Sequence, residues 1–434
     1  MVGTGEQVTD GLETTIPAPT PDHLGETLAA ELELGRQLFV AGAPGQRIHD
    51  SIAVLNEKLR GGRLHIFLGF EALVITMEHG GERRIAMCEY PLPVAMNGNA
   101  ITEISRYLRS LPAGADPAHV TSDLQSLKIP QTCSPLVAFA ALTLFAVIFG
   151  FFNHADAWAL LIIGMSAGIA ALTRTLVFGK GYGYYLAVLA TTLVATCSAA
   201  LLSQVIPTAT PLISLIIPCI IVIPGFQLIN GGWEILRNHL HIGIPRLVVF
   251  FNVLSLMAVG LLTVLLAYSP GADGAGLQFP PGVMLILATC MGALAALCIC
   301  LVMNTPVQAI FICLLCGAAG RFVRTLIGDT MGDVALGVFC GTLVISVLAL
   351  FLCQRWQLPA ALPLVAASVQ FVPGYYIIIC LQGMAEIIRN GTAVSFAVVT
   401  ATMSTGLLSL FISAAIVIGT LLPLLVFGKD TQWY

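Results

Sequence analysis

Apolar residues come in long unbroken runs from Pro135 onward and in short, interrupted ones before it. Crossing a hydrocarbon core takes about 20 apolar residues in a helix. Runs of that order begin near Pro135, Ala157, Gly183, Pro211, Leu247, Val283, Pro306, Val334, Leu358 and Ser395. Short polar turns such as FGKGYG and SPGADGAGLQFPP separate them. A buried helix of a soluble domain accounts for one such run but not for ten in series. The pattern therefore predicts a polytopic α-helical membrane protein with about ten transmembrane helices.

The front of the chain has another rhythm. Residues 1–25 are rich in Thr, Pro, Glu and Asp, the composition of a disordered tail. No apolar segment stands near the N-terminus, so no cleavable signal peptide is expected. Residues 28–60 carry helical spacing, broken at AGAP, Ala41 to Pro44. LHIFLGFEALVITME has the composition of strand, and GERRIAMCEY follows as its partner after the turn at Gly80–Gly81. ITEISRYLRSL is helical again, and Asp116–Pro117 opens another helix as N-cap and first residue. The expectation is a small N-terminal α+β cytoplasmic domain over 26–130, tethered by Lys128 to Pro135.

Composition agrees with a membrane class. The chain is 57% hydrophobic and 10% charged, whereas soluble domains are nearer a quarter charged. Residues 1–133 hold 10 Lys/Arg and 16 Asp/Glu, and residues 134–434 hold 9 and 7. The net charge of −4 gives no sign of a nucleic-acid partner. With the N-terminus inside, inner loops carry Arg174, Lys180, Arg237, Arg246, Arg355 and Lys429, and outer loops Arg321, Arg324 and Arg389. Excess Lys and Arg marks the cytoplasmic side. This favours a multi-pass plasma-membrane protein with both termini cytoplasmic. Most of the twelve cysteines sit in apolar runs, and Cys313-x-x-Cys316 lies mid-span without a second pair or a nearby histidine. These read as small apolar residues, and no metal or other cofactor is expected.

The apolar part also repeats. TRTLVFGKG at 173–181 is echoed by VRTLIGDTMG at 323–332; Arg174 to Arg324, Pro224 to Pro373 and Glu234 to Glu386 are separated by 150, 149 and 152 residues. The predicted units are 134–270 and 281–427, each of five helices. An odd number makes the second copy enter from the opposite face, so the expectation is two inverted five-helix repeats. Pro224–Gly225 and Pro373–Gly374 break helices at matching positions, because proline removes a donor and clashes with the preceding turn. Backbone freed in this way needs protein or water beside it. The two breaks are expected to face each other across a polar cavity near mid-membrane.

RQLFVAGAPGQRIHDSIAVL followed by a strand pair, VIPGFQLINGGWEILRN and FVPGYYIIICLQGMAEIIRN together resemble the threonine/serine exporter family over roughly residues 30–425. The specific marks are Ala41-Gly42-Ala43-Pro44 with Arg47, and the two Pro-Gly pairs. The resemblance implies a fused two-half exporter of threonine and serine driven by the proton gradient. A related branch with separate halves implies succinate-type dicarboxylates as the alternative cargo. Asn230 has no counterpart in the second half, where IIICLQG replaces QLINGG.

Candidate substrate-binding residues are Pro224, Gly225, Gln227, Asn230, Gln370, Pro373 and Gly374. Broken helices present amides to a carboxylate and bare carbonyls to an ammonium, and the three amide side chains could bind a hydroxyl. Proton coupling needs an ionisable group at membrane depth, and the candidates are Glu234, Asp329, Asp333 and Glu386. A plainer reading puts all four at span ends in water, Glu234 with Arg237 and Glu386 with Arg389 as helical pairs. Arg174 and Arg324 read as helix-end anchors. Gly164-x-x-x-Gly168, Gly328-x-x-x-Gly332 and Gly337-x-x-x-Gly341 indicate helix packing. His49–Asp50 and His65 with Glu71 lack any accompanying catalytic motif and read as surface or packing residues. A channel or membrane enzyme is a weaker alternative, and a homo-oligomer is left open. The expected partners are the small-molecule substrate, the proton and membrane lipid.

Overall fold

The computed structural model describes residues 23–90, 96–268, 270–271 and 273–427. Most of the tail expected over 1–25, and Lys429, lie outside these residues, and helix begins at His23.

The N-terminal elements are α1 (His23–Val40), α2 (Gly45–Lys58), β1 (Arg63–Leu68), β2 (Ala72–His79), β3 (Glu82–Glu89), α3 (Gly98–Ser110) and α4 (Pro117–Ser126). The strands form one antiparallel sheet in sequence order, with Leu68 opposite Leu73 and His79 opposite Glu82. The first strand stretch expected from the sequence is two strands, because the Gly69 N–H turns back to the Ala72 carbonyl at 2.9 Å. Alternation in β2 buries Leu73, Ile75 and Met77 beneath α1. Gly35 allows that close approach: a Cβ there would run into Leu73 Cδ2. The Asn97 side chain caps α3 by accepting from the Ala100 N–H.

The apolar remainder comprises α5 (Pro135–Phe152), α6 (Ala157–Gly179), α7 (Tyr184–Val205), α8 (Pro211–Ile216) with a 3₁₀ extension to Val222, α9 (Gly225–Leu236) and α10 (Leu240–Ala267). It continues with α11 (Pro281–Val302), α12 (Val307–Met331), α13 (Val334–Trp356), α14 (Ala361–Ser368) extended to Phe371, α15 (Gly374–Asn390) and α16 (Phe396–Phe427). Among the described residues eight helices are long and apolar enough to cross a membrane, or up to ten if each of two bent pairs is one span. The bends, of 60° and 41°, fall at Pro224–Gly225 and Pro373–Gly374. Large apolar side chains such as Leu136, Ile169, Phe351 and Phe411 point outward, while Ala159, Ala167, Ala170, Ala195 and Ala199 are buried. Small residues inside and large apolar ones outside suit helices that pack together in lipid.

The two halves carry the same elements in the same order, three long helices, a bent pair and a long helix. His154 and Asn304, 150 residues apart, both end a helix in the left-handed region, at φ 59° and 48°. The breaks match in detail as well. The Gly225 N–H bonds the Ile223 carbonyl at 2.9 Å, and the Gly374 N–H bonds that of Val372 at 2.8 Å. Each is a bond two residues back around a proline, whose ring fixes the φ near −80° that this tight turn requires.

Candidate transport site at the two helix breaks

A Cβ on Gly225 would lie 3.1 Å from Val372 and 3.3 Å from Val369. One on Gly374 would lie 2.6 Å from Ile223 and 3.6 Å from Ile220. Val372 and Val369 follow Ile223 and Ile220 by the same 149 residues that separate the glycines. The contact is reciprocal, the self-complementary kind that a two-fold relation generates. The breaks therefore meet, but across valine and isoleucine side chains. The polar cavity expected between them is absent among the described residues, because these β-branched chains fill the space.

Polar groups collect on either side of this apolar seam. Beyond the second break lies a cavity of about 50 Å³ lined by Phe149, Phe152, Asn153, Arg321, Arg324, Gln370, Phe371, Pro373, Tyr375 and Tyr376. Arg321 is 4% exposed, its guanidinium 3.3 Å from the centroid of the Phe152 ring. Its Nε has no hydrogen-bond partner among the described residues. Gln370 donates to the Ala367 carbonyl at 2.9 Å and the Gly317 carbonyl at 3.3 Å, leaving its Oε1 without a donor. The first turn of α15, the positive end of its dipole, borders the same space. Among the described residues no carboxylate lines the cavity. Two guanidiniums and a helix N-terminus, with no carboxylate in the lining, suit an anionic group.

Beyond the first break the arrangement differs. Glu234 is 2% exposed and lies within α9. Its Oε1 accepts from the Gly45 N–H at 2.5 Å, and its Oε2 lies 3.0 Å from His239 Nδ1. The left-handed Asn238 turns the chain after α9 and brings His239 back to that carboxylate. The hydrogen bond to Glu234 holds the His239 imidazole above its ordinary pKa. Buried Arg246 donates to the Ala43 carbonyl at 3.2 Å and lies over the Phe39 ring, while Asn230 reaches the Gly42 carbonyl at 3.4 Å. The AGAP loop thus sits on the polar groups of α9 and α10. Gln227 is buried nearby, its Oε1 without a hydrogen-bond partner among the described residues.

The span-end reading puts all four acids at helix ends in water. Asp329, Asp333 and Glu386 are exposed, with Asp333 capping α13 through the Leu336 N–H and Glu386 lining an open pocket with Arg389. It fails for Glu234, which is buried with His239 and Gly45. Arg246, Arg321 and Arg324, expected in loops, lie inside α10 and α12, and Arg324 lines the cavity. Arg174 sits beside Phe178, its guanidinium 5.8 Å from the ring centroid. Cys313 and Cys316 are buried free thiols, and His65 and Glu71 are exposed.

Arg321, Asn153, Tyr375, Tyr376, Arg246 and His239 were not among the expected site residues. For the two arginines the signal was present: a charge inside an apolar run is costly and points to function.

A family model described as a threonine/serine exporter matches residues 30–268, and a second, described as Threonine/Serine exporter, ThrE, matches residues 288–426. No curated protein and no solved structure matches the chain. The first match runs to the end of α10 and the second from within α11 into α16, so this chain belongs to the threonine/serine exporter family and is a multi-pass membrane exporter with both halves fused.

Proposed function

We propose that the protein is a secondary active exporter of small hydroxy amino acids, threonine and serine, across the plasma membrane, driven by the proton gradient, with both termini cytoplasmic. The observation that carries the reading is buried Arg321 beside Gln370 at the Pro373–Gly374 break. The substrate carboxylate would pair with Arg321 and the first amides of α15, and its hydroxyl would donate to Gln370 Oε1. A cavity of about 50 Å³ holds a water or two rather than an amino acid. Binding therefore requires α15 to draw away from α12. The reciprocal contact at the breaks supports two halves related by an axis in the membrane plane, which rock against each other about that seam. Glu234 with His239 is the proposed proton site, an acid–base pair at the membrane end of a broken helix. The AGAP loop, seated on that pair, gates the cytoplasmic mouth.

One observation favours a second cargo. Two guanidiniums, Arg321 and Arg324, line one cavity, which suits a dicarboxylate of the succinate type. Proteoliposomes loaded with labelled threonine, serine or succinate, with and without an imposed pH gradient, test both readings. Efflux of threonine and serine against their gradient, dependent on the pH difference, supports the first. Succinate movement alone supports the second. Movement of none of them, or only downhill leakage, removes the exporter reading for these cargoes.

A further inference from the structure

A separate cavity of about 260 Å³ lies where the N-terminal elements meet the turn between α13 and α14. Arg47 and Lys58 of α2 and Ser105 and Arg109 of α3 line it, and Gln357 and Pro359 close it from the membrane side. Arg109 Nη1 donates to the Gln357 carbonyl at 3.1 Å, so the cavity sits on a direct link between the two parts.

The charge around it is unbalanced. Among the described lining residues three cations, Arg47, Lys58 and Arg109, face one carboxylate, Asp50, which also accepts from Gln46 Nε2 at 2.8 Å. Lys58 Nζ donates to the Leu108, Arg109 and Leu111 carbonyls and ends α3, so its donors are committed. Arg47 is 7% exposed and donates to Ser105 Oγ. Burial first, and then the neighbouring Arg109, lower its pKa to about 10. A guanidinium held in a dry site beside a second one is stabilised by an anion between them. The guanidinium fork matches phosphate oxygens, and the Ser51 and Ser105 hydroxyls stand at the same wall.

We infer that this cavity binds a phosphate group, held by Arg47 and Arg109 at the junction of α2, α3 and the α13–α14 turn. The phosphate could belong to a soluble metabolite or to the headgroup of an anionic lipid. An adjoining open groove, with Arg106, Trp356 and the shared Arg109 and Gln357, offers the lipid route. Arg47 lies two residues after Gly45, whose N–H holds Glu234, so occupancy bears on how firmly the AGAP loop sits.

The test uses the full chain in uncharged detergent and follows thermal unfolding while inorganic phosphate is titrated against sodium chloride at matched ionic strength. A saturable stabilisation by phosphate is expected, with the apparent Kd raised roughly tenfold or more in Arg109→Gln, the loss of one charged hydrogen bond. Arg83→Gln, on the exposed face of β3, should leave it unchanged. A second arm compares nanodiscs of phosphatidylcholine with nanodiscs containing phosphatidylglycerol. Stabilisation by phosphatidylglycerol alone, lost in Arg109→Gln, assigns the site to a lipid headgroup; stabilisation by free phosphate assigns it to a soluble ligand. If neither stabilises beyond chloride, or if Arg109→Gln responds as fully as the native chain, the inference is wrong. Binding is read without transport, so its outcome is independent of the cargo.

Discussion

The Gly45 N–H donates to Glu234 Oε1 at 2.5 Å, joining residues 189 positions apart. A Cβ on residue 45 would stand 2.8 Å from Ile242 Cδ1 and 3.0 Å from Glu234 Oε2. Glycine therefore lets the start of α2 come down onto a buried carboxylate. Gly45→Val should lift the AGAP loop from α9 and α10 without disturbing their helices. Limited proteolysis of the full chain should then cut between α1 and α2 several times faster, with Gly45→Ala intermediate. Equal digestion of Gly45→Val and the native chain would show that this contact does not hold the loop.

Glu234 lies nine residues after Gly225 and Glu386 twelve after Gly374, yet only Glu234 is buried. Glu234→Gln keeps an acceptor for Gly45 but removes the charge that holds the His239 proton. Flux driven by a pH gradient should fall at least roughly tenfold, while substrate exchange at equal pH falls much less. Glu386→Gln, at an exposed site, should stay within about twofold of the native protein. Equal losses in both variants would contradict the assignment of coupling to the first half.

At the second break the glycine is under more steric demand than at the first. A Cβ at 374 meets Ile223 at 2.6 Å, whereas one at 225 meets Val372 at 3.1 Å. Gly374→Val should abolish transport and Gly225→Val reduce it strongly, with both proteins inserted and expressed. Alanine should be mild at 225, where a few tenths of an ångström suffice, and worse at 374. The reverse order in transport assays would mean that the seam between the breaks is not what limits the motion.

The parts of this molecule that follow from local pattern were legible in the sequence. Ten apolar runs, the proline-centred breaks and the matched halves rest on composition, ring geometry and spacing, all carried by neighbours in the chain. The environment of Glu234 was not legible, because its partners come from Gly45 and from His239 beyond a left-handed turn. Nothing within one helix turn distinguishes it from Glu386, which is exposed. Arg321 was expected in an outer loop, but α12 runs on to Met331 and carries it inside the helix. The cavity between the breaks failed for a related reason. Backbone dipoles at Pro224 and Pro373 suggested water between them, but Ile223 and Val372, one residue earlier, fill the seam.

Glu31 gives the N-terminal elements a pH dependence of their own. It is buried on α1, neither carboxylate oxygen has a hydrogen-bond partner among the described residues, and burial raises its pKa to about 8. The unfolded chain would titrate near 4.5. The folded state therefore holds the proton more tightly, and stability is full below about 4.5, falls as pH rises toward 8 and levels off above it. The loss is on the order of a few kcal/mol. Glu31→Gln removes the charge, so it should stabilise α1 at pH 8.5 and change little at pH 5. Hydrogen exchange of α1 in variant and native chains at the two pH values checks this. Equal protection at pH 8.5 would show that Glu31 is solvated or paired in solution.

Arg321 separates a structural from a transport role. A buried guanidinium with no direct ion pair among the described residues is a liability for stability, and replacing such a charge with an apolar side chain often leaves a fold as stable or more so. If its purpose is to receive a substrate carboxylate, Arg321→Leu should insert normally, unfold at an equal or higher temperature, and lose threonine transport. Arg321→Lys retains the charge but not the fork or the stacking on Phe152, so it should raise KM more than it lowers maximal rate. Arg324→Gln should be milder, since that residue is only half-buried. Threonine amide, which lacks the carboxylate, should compete poorly with threonine in the native protein. It should lose nothing further in Arg321→Lys. A variant that unfolds early while transporting normally would make Arg321 a packing element against Phe152, and would move the carboxylate site away from the second break.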